Sequence, residues 1–250
     1  MIFRIGSFLS LIAVSAGLNA CAATTSQPPL AARALETCPG GSIHSAQDAA
    51  RYEMCDTISG ALRIERASLT TLDALANVST ITGALVIRDN PVLENLDGLS
   101  RLRAAGSLEI RNNPALGNIA GLESLQASRR VSIVENPNLR RLTGLEGLEF
   151  LNSLVLSKNG LYSTSGLDGL REVGDLVITQ NRTLISLGGL GNLTRARSVR
   201  IQGNPRICAQ SGLLPRLTRV DGPLQLKANS GLFENDVSRL TARAKQGNVE

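Results

Sequence analysis

The sequence has no tryptophan, a single histidine, two tyrosines and four phenylalanines, so that only 2% of its 250 residues are aromatic. Each scarcity removes a class of function. With His44 alone no histidine cluster can hold a metal, and the CxxC, HExxH and EF-hand spacings are missing. His44 has no cysteine or carboxylate cluster beside it and reads as a turn residue, not a catalytic base. Gly188-Gly189-Leu190-Gly191 lacks the Lys-Ser/Thr that a phosphate-cradling loop needs. A basic block is absent as well: 26 Lys and Arg against 21 Asp and Glu give +5, spread along the chain, which argues against nucleic acid as a partner. No cofactor is implied. The apolar content of 42% with so few rings means a core of Leu, Ile, Val and Ala, suited to narrow layers.

The chain opens with Arg4 and an apolar stretch from Ile5 to Leu18, about 14 residues and too short for a comfortable mature membrane span. Residues 1–20 are expected to be an export signal. Its end, Leu18-Asn19-Ala20-Cys21, resembles the lipobox of bacterial lipoproteins. That resemblance implies a lipidated Cys21, the membrane as a partner through the anchor, and, with Ala22 following, an outer-membrane or cell-surface location. Residues 21–36 are small, polar and proline-containing, the composition of a flexible tether. The end, Lys245 to Glu250, has no hydrophobic tail, which disfavours a glycolipid anchor.

Cys38 and Cys55 stand 17 apart on either side of a short helical pattern. In an exported chain they are expected to pair, closing a loop worth roughly 3 kcal/mol. Cys208 is left over and reads as a small buried hydrophobe.

From Ile58 the sequence repeats. The first inward residue of each expected strand is Leu62, Leu85, Leu108, Val131, Leu154, Leu176, Val199 and Leu224, at spacings of 23, 23, 23, 23, 22, 23 and 25. Two positions on come Ile64, Ile87, Ile110, Ile133, Leu156, Ile178, Ile201 and Leu226, and three further an Asn in every coil but the first, where Ala67 stands. Pro follows the Asn at 91, 114, 137 and 205. Leucines then recur, as at Leu93, Leu96, Leu99 and Leu102, with Gly98, Gly121, Gly144, Gly189 or Gly212 directly before the third. Alternation places one strand face in the core. The Asn amides stack into a ladder at the bend, Pro fixes the outgoing direction, and Gly permits positive φ or close backbone approach. A single coil could not bury its leucines, so the repeats form one solenoid without room for a second domain.

Helices are expected to close both ends. Pro39-Gly40-Gly41 reads as a turn, Ser45 with Asp48 as a capping box opening a helix through Met54, and Asn235 as the N-cap of a helix running to Lys245. The organisation is therefore residues 37–57 as N-terminal cap, 58–232 as about eight coils of ~23 residues, and 233–250 as C-terminal cap and tail.

The repeat Leu-x-Ile-x-x-Asn-Pro, the cysteine-flanked helix before Ile58-Ser59-Gly60-Ala61-Leu62-Arg63-Ile64, and Asn204-Pro205-Arg206-Ile207-Cys208 together resemble the receptor L domain over residues 38–232. This is the leucine-rich-repeat-like ligand-binding module of growth-factor and insulin receptor ectodomains, also seen in fungal wall proteins. The resemblance implies an all-β-dominated solenoid, a right-handed parallel β-helix, and a binding module without enzymatic activity.

Outward strand residues are where function must lie. Glu65, Glu109 and Asp175 are the outward acids, about 10 and 14 Å apart at roughly 4.8 Å per coil, outside the roughly 5–9.5 Å of paired-carboxylate hydrolases. The candidate binding face is Val86, Arg88, Arg111, Val134, Val155 and Val177, facing an unknown protein or glycan. The expected function is recognition or adhesion at the cell envelope. Alternatives are a structural envelope spacer without a soluble ligand and a carbohydrate-active β-helix enzyme.

Overall fold

A computed structural model describes residues 35–208 and 213–246. The expected signal, Cys21, nearly all of the tether and Gly212 lie outside the described residues.

The elements run β1 (Glu36–Ile43), α1 (Ala46–Ala50), β2 (Cys55–Glu65), β3 (Thr80–Arg88), β4 (Ala104–Arg111), β5 (Arg130–Val134), β6 (Phe150–Ser157), β7 (Glu172–Thr179), β8 (Arg195–Gln202), β9 (Arg219–Val220), β10 (Leu224–Lys227) and α2 (Glu234–Gln246). Every pairing is parallel, in the order β1-β2-β3-β4-β5-β6-β7-β8-β10, with the two-residue β9 beside β8. The register follows the repeat: Leu62, Leu85, Leu108, Val131, Leu154, Leu176, Val199 and Leu224 form one column of direct partners. A one-residue slip would turn this whole column to solvent, so burial specifies the register. The result is a solenoid of eight coils with a continuous aliphatic core.

The asparagine ladder is complete from Asn90 to Asn229, all seven side chains buried. From Asn90 to Asn204 each backbone N–H donates to the Oδ1 of the next Asn, and each Nδ2 of the seven donates to a strand carbonyl of the preceding coil, as Asn113 does to Asn136 Oδ1 at 3.1 Å and to Ile87 O at 3.0 Å. In the first coil Ala67 N–H simply donates to Asn90 Oδ1 at 2.9 Å.

The left-handed backbone sits one residue earlier than turn chemistry suggests. Arg66, Asp89, Asn112, Glu135, Lys158, Gln180 and Ala228 all have φ between 51° and 59°, with Gly203 completing the column. From Arg66 to Gly203 their N–H groups continue the sheet ladder, for example Asp89 to Arg111 O at 3.0 Å. Reversing the chain there frees the next residue, the Asn, to point inward. Each non-glycine costs about 1–2 kcal/mol, offset by the bonds that the ladder gains.

The N-terminal end differs from the expected turn. Pro39-Gly40-Gly41 lies within β1, which adds a ninth rung against β2, irregular between Pro39 and Gly41. Proline is tolerated because β1 is the last described strand on that side. The expected disulfide joins Cys38 of β1 to Cys55 of β2, with Cα atoms 5.7 Å apart. Ser45 caps α1 by accepting from Asp48 N–H at 3.2 Å. At the other end Asn235 lies inside α2, and it is Phe233 N–H that donates to Asp236, at 3.3 Å. Arg243 anchors α2 by donating to Leu213, Leu214 and Leu217 carbonyls at 3.0, 2.6 and 2.9 Å.

One core position breaks the aliphatic column formed by Leu96, Ile119, Leu142 and Leu187. Coil five places Thr164 there, fully buried, its hydroxyl without a hydrogen-bond partner among the described residues. Thr164→Val keeps the shape and removes an unsatisfied oxygen, so it is expected to stabilise the fold by about 1–2 kcal/mol. Thermal or urea unfolding reads the gain, and equal or lower stability would contradict it.

Candidate functional site

The outward face of the main sheet carries two columns. One runs Arg63, Val86, Glu109, Ser132, Val155, Val177, Arg200, Gln225; the other runs Glu65, Arg88, Arg111, Val134, Ser157, Thr179, Gln202, Lys227. Val155 and Val177 are direct neighbours at its centre, with Val134 one column over and one strand back. Val86 lies apart, separated from Val155 by Glu109 and Ser132. The six candidates therefore divide into a central apolar trio and a group at the basic end.

Arg88 and Arg111 occupy partner positions on β3 and β4, where like charges would repel. Each turns to an acid of a neighbouring coil: Arg88 donates to Glu65 at 2.6 Å, and Arg111 lies 3.4 Å from Glu135. Glu135 also accepts from Lys158 at 3.0 Å. The hydrogen bond from Lys158, then the charges of Lys158 and Arg111, hold the Glu135 carboxyl below its usual range. This contribution is present at neutral pH and is lost in acid as pH falls through the depressed value. Both arginines thus serve partly as staples between coils.

The outward acids fall in three separate columns. Asp175 belongs to a third, Arg130, Ser153, Asp175, Ser198. Hydrogen bonds, first from Arg197 and then from Ser198, hold its carboxyl below the usual range. His44 Nδ1 pairs with the Glu65 carbonyl at 2.8 Å, a turn contact. Among the described residues no group of three or more His, Cys, Asp or Glu could hold a metal ion. Cys208 is half-buried rather than buried, its Sγ 3.7 Å from Ile185 O, because it sits at the outer rim of its turn. Among the described residues no helix is long and apolar enough to cross a membrane.

Sequence reasoning missed a groove beside this face. The strands bend where their short first segment meets the main sheet, as at Gly174, whose added Cβ would stand 2.2 Å from Asn152 O. Along the bend lie two hollows of about 720 and 760 Å³, and Phe150 lines both. Phe150 is 59% exposed. One hollow carries Arg130, Asp175, Arg197 and Asp221 over a floor of Val173 and Ala196. The signal was available: Phe150 is a lone ring between Glu149 and Leu151, and Leu151 takes the inward place. The arrangement offers an aromatic edge, guanidiniums and carboxylates for contact.

No curated protein matches the chain. Residues 54–166, spanning β2 to β6 and the turns beyond, match the family model described as Receptor L domain, and the later coils continue the same register to Lys227.

Proposed function

We propose that this protein is a non-enzymatic recognition module of the cell envelope, tethered by a lipid on Cys21, whose main sheet docks a protein or glycan. The observation that carries the reading is the central trio Val134, Val155 and Val177, half-exposed on a two-column sheet face whose side chains the core does not need. An exposed apolar patch rimmed by polar residues, here Ser132, Ser157 and Thr179, is the usual form of a docking surface. The match of residues 54–166 to a ligand-binding family supports it, as does the separation of the outward acids into different columns.

The test is capture from envelope extracts and binding to a glycan panel by the double variant Val155→Asp, Val177→Asp. Both sites face outward, away from the core, but as direct partners the two carboxylates repel, so circular dichroism checks the fold first; in the folded variant capture is expected to fall about tenfold because a docked partner would bury unpaired carboxylates. Unchanged capture by a folded variant removes this face from the site and leaves the Phe150 groove. In the same fractions, Cys21→Ser is expected to shift the protein from membrane to soluble; unaltered partition and processing would sink the anchor.

A further inference from the structure

Coil five departs from its neighbours at one turn. Coil four runs Asn136-Pro137-Asn138-Leu139 from ladder to core, whereas coil five runs Asn159-Gly160-Leu161, one residue shorter. This is the residue missing from the spacing of 22 between Leu154 and Leu176. The shortened turn is drawn onto coil four: Gly160 N–H donates to Asn136 O at 3.1 Å, a bond proline cannot make, and an added Cβ would stand 2.0 Å from Pro137 O. The ridge of turns is therefore notched between coils four and six.

The notch measures about 620 Å³, within the roughly 300–1,000 Å³ of small-ligand sites. Arg140, Lys158, Gln180, Arg182 and Thr183 line it with no carboxylate among the lining residues. Arg182 stands where Pro follows the Asn in other coils; it is exposed and makes no ion pair among the described residues. Arg140 is braced by donating to Gly160 O at 3.2 Å and by lying 5.1 Å from the centroid of the Tyr162 ring. Lys158 is shared with Glu135 at the rim.

We propose that this notch binds an anionic sugar, with its phosphate or carboxylate gripped by Arg140 and Arg182. Two guanidiniums on a concave wall match the planar forks of an oxyanion, and Lys158 adds a third positive charge. The volume far exceeds that of a bare anion, and Gln180 and Thr183 place polar groups where sugar hydroxyls would lie. This deepens the glycan branch of the recognition reading, yet the notch is on the turn edge rather than the sheet face.

Calorimetric titration of the full chain with glucuronate, glucose 1-phosphate, glucose and inorganic phosphate tests it. At least one anionic sugar is expected to bind saturably and more weakly as salt rises, and which one binds distinguishes carboxylate from phosphate. Glucose is expected not to bind. Arg182→Ala should weaken binding about tenfold, the loss of one charge-assisted hydrogen bond, while Arg182→Lys retains part of it. Arg140 also holds the turn, so Arg182, whose side chain has no hydrogen bond or ion pair among the described residues, is the deciding position. Arg200→Ala and Val155→Asp should leave the titration unchanged, which separates this site from the sheet face. The proposal is overturned if neither anionic sugar binds, if glucose binds equally, if inorganic phosphate binds as tightly as glucose 1-phosphate, or if Arg182→Ala has no effect.

Discussion

Asn136→Ala is expected to destabilise the solenoid by roughly 3–5 kcal/mol, the sum of two or three buried polar groups left without partners. Asn136 lies mid-ladder and is fully buried. Its Oδ1 accepts from Asn113 N and Nδ2 at 3.1 and 3.2 Å, and its Nδ2 donates to Ile110 O and Val134 O at 3.1 and 3.0 Å and to Asn159 Oδ1 at 3.2 Å. Alanine removes every one of these at once, and the abandoned groups lie in the core where water cannot replace the amide. Two controls give the effect its meaning. Asn229, at the ladder's end, passes on no bond to a further Asn and should cost less as alanine. Asn138, exposed and bonded once to Pro114 O at 2.7 Å, should cost little. Urea unfolding of the three variants checks the order; equal losses at Asn136 and Asn138 would show that the ladder is not what joins the coils.

Gly121→Ala is expected to be at least as damaging, roughly 4 kcal/mol or more, which at this chain length lowers Tm by about 2–4 °C per kcal/mol. An added Cβ would stand 1.9 Å from Leu96 O and 2.6 Å from Asp97 N, both backbone atoms of the coil below. No side-chain rotation relieves this, so the coils must separate, and the leucines between them lose contact. Gly117 in the same coil is the control: its nearest atom for an added Cβ is Glu94 O at 3.9 Å, so Gly117→Ala should be nearly neutral. A soluble, normally stable Gly121→Ala protein would contradict the stacking geometry.

Much of the architecture was legible because one unit recurs. Leu85, Ile87 and Asn90 mean little alone, but the same residues at a fixed spacing in coil after coil leave one way to bury them together. The corner glycines were legible in kind: Gly121 serves close approach and Gly144, with φ of 113°, serves conformation as well. The left-handed column was not, since Arg66, Glu135 and Lys158 carry no local preference for that region and are held there by the ladder on both sides. Nor was β1, because Pro39-Gly40-Gly41 has turn chemistry locally and becomes a strand only beside β2.

The candidate sites divide along the same line. That Val155 and Val177 point outward follows from alternation alone; that they are direct neighbours, with Val134 diagonal and Val86 remote, follows from register between coils. The Phe150 groove depends on where each strand bends, and the notch beside Arg182 on how a one-residue shortfall is absorbed. Sequence by itself determined the coil, its buried residues and the coil count, because periodic burial admits one register. Tertiary structure decided which outward side chains meet, because those contacts join residues some 23 positions apart that only stacking brings together.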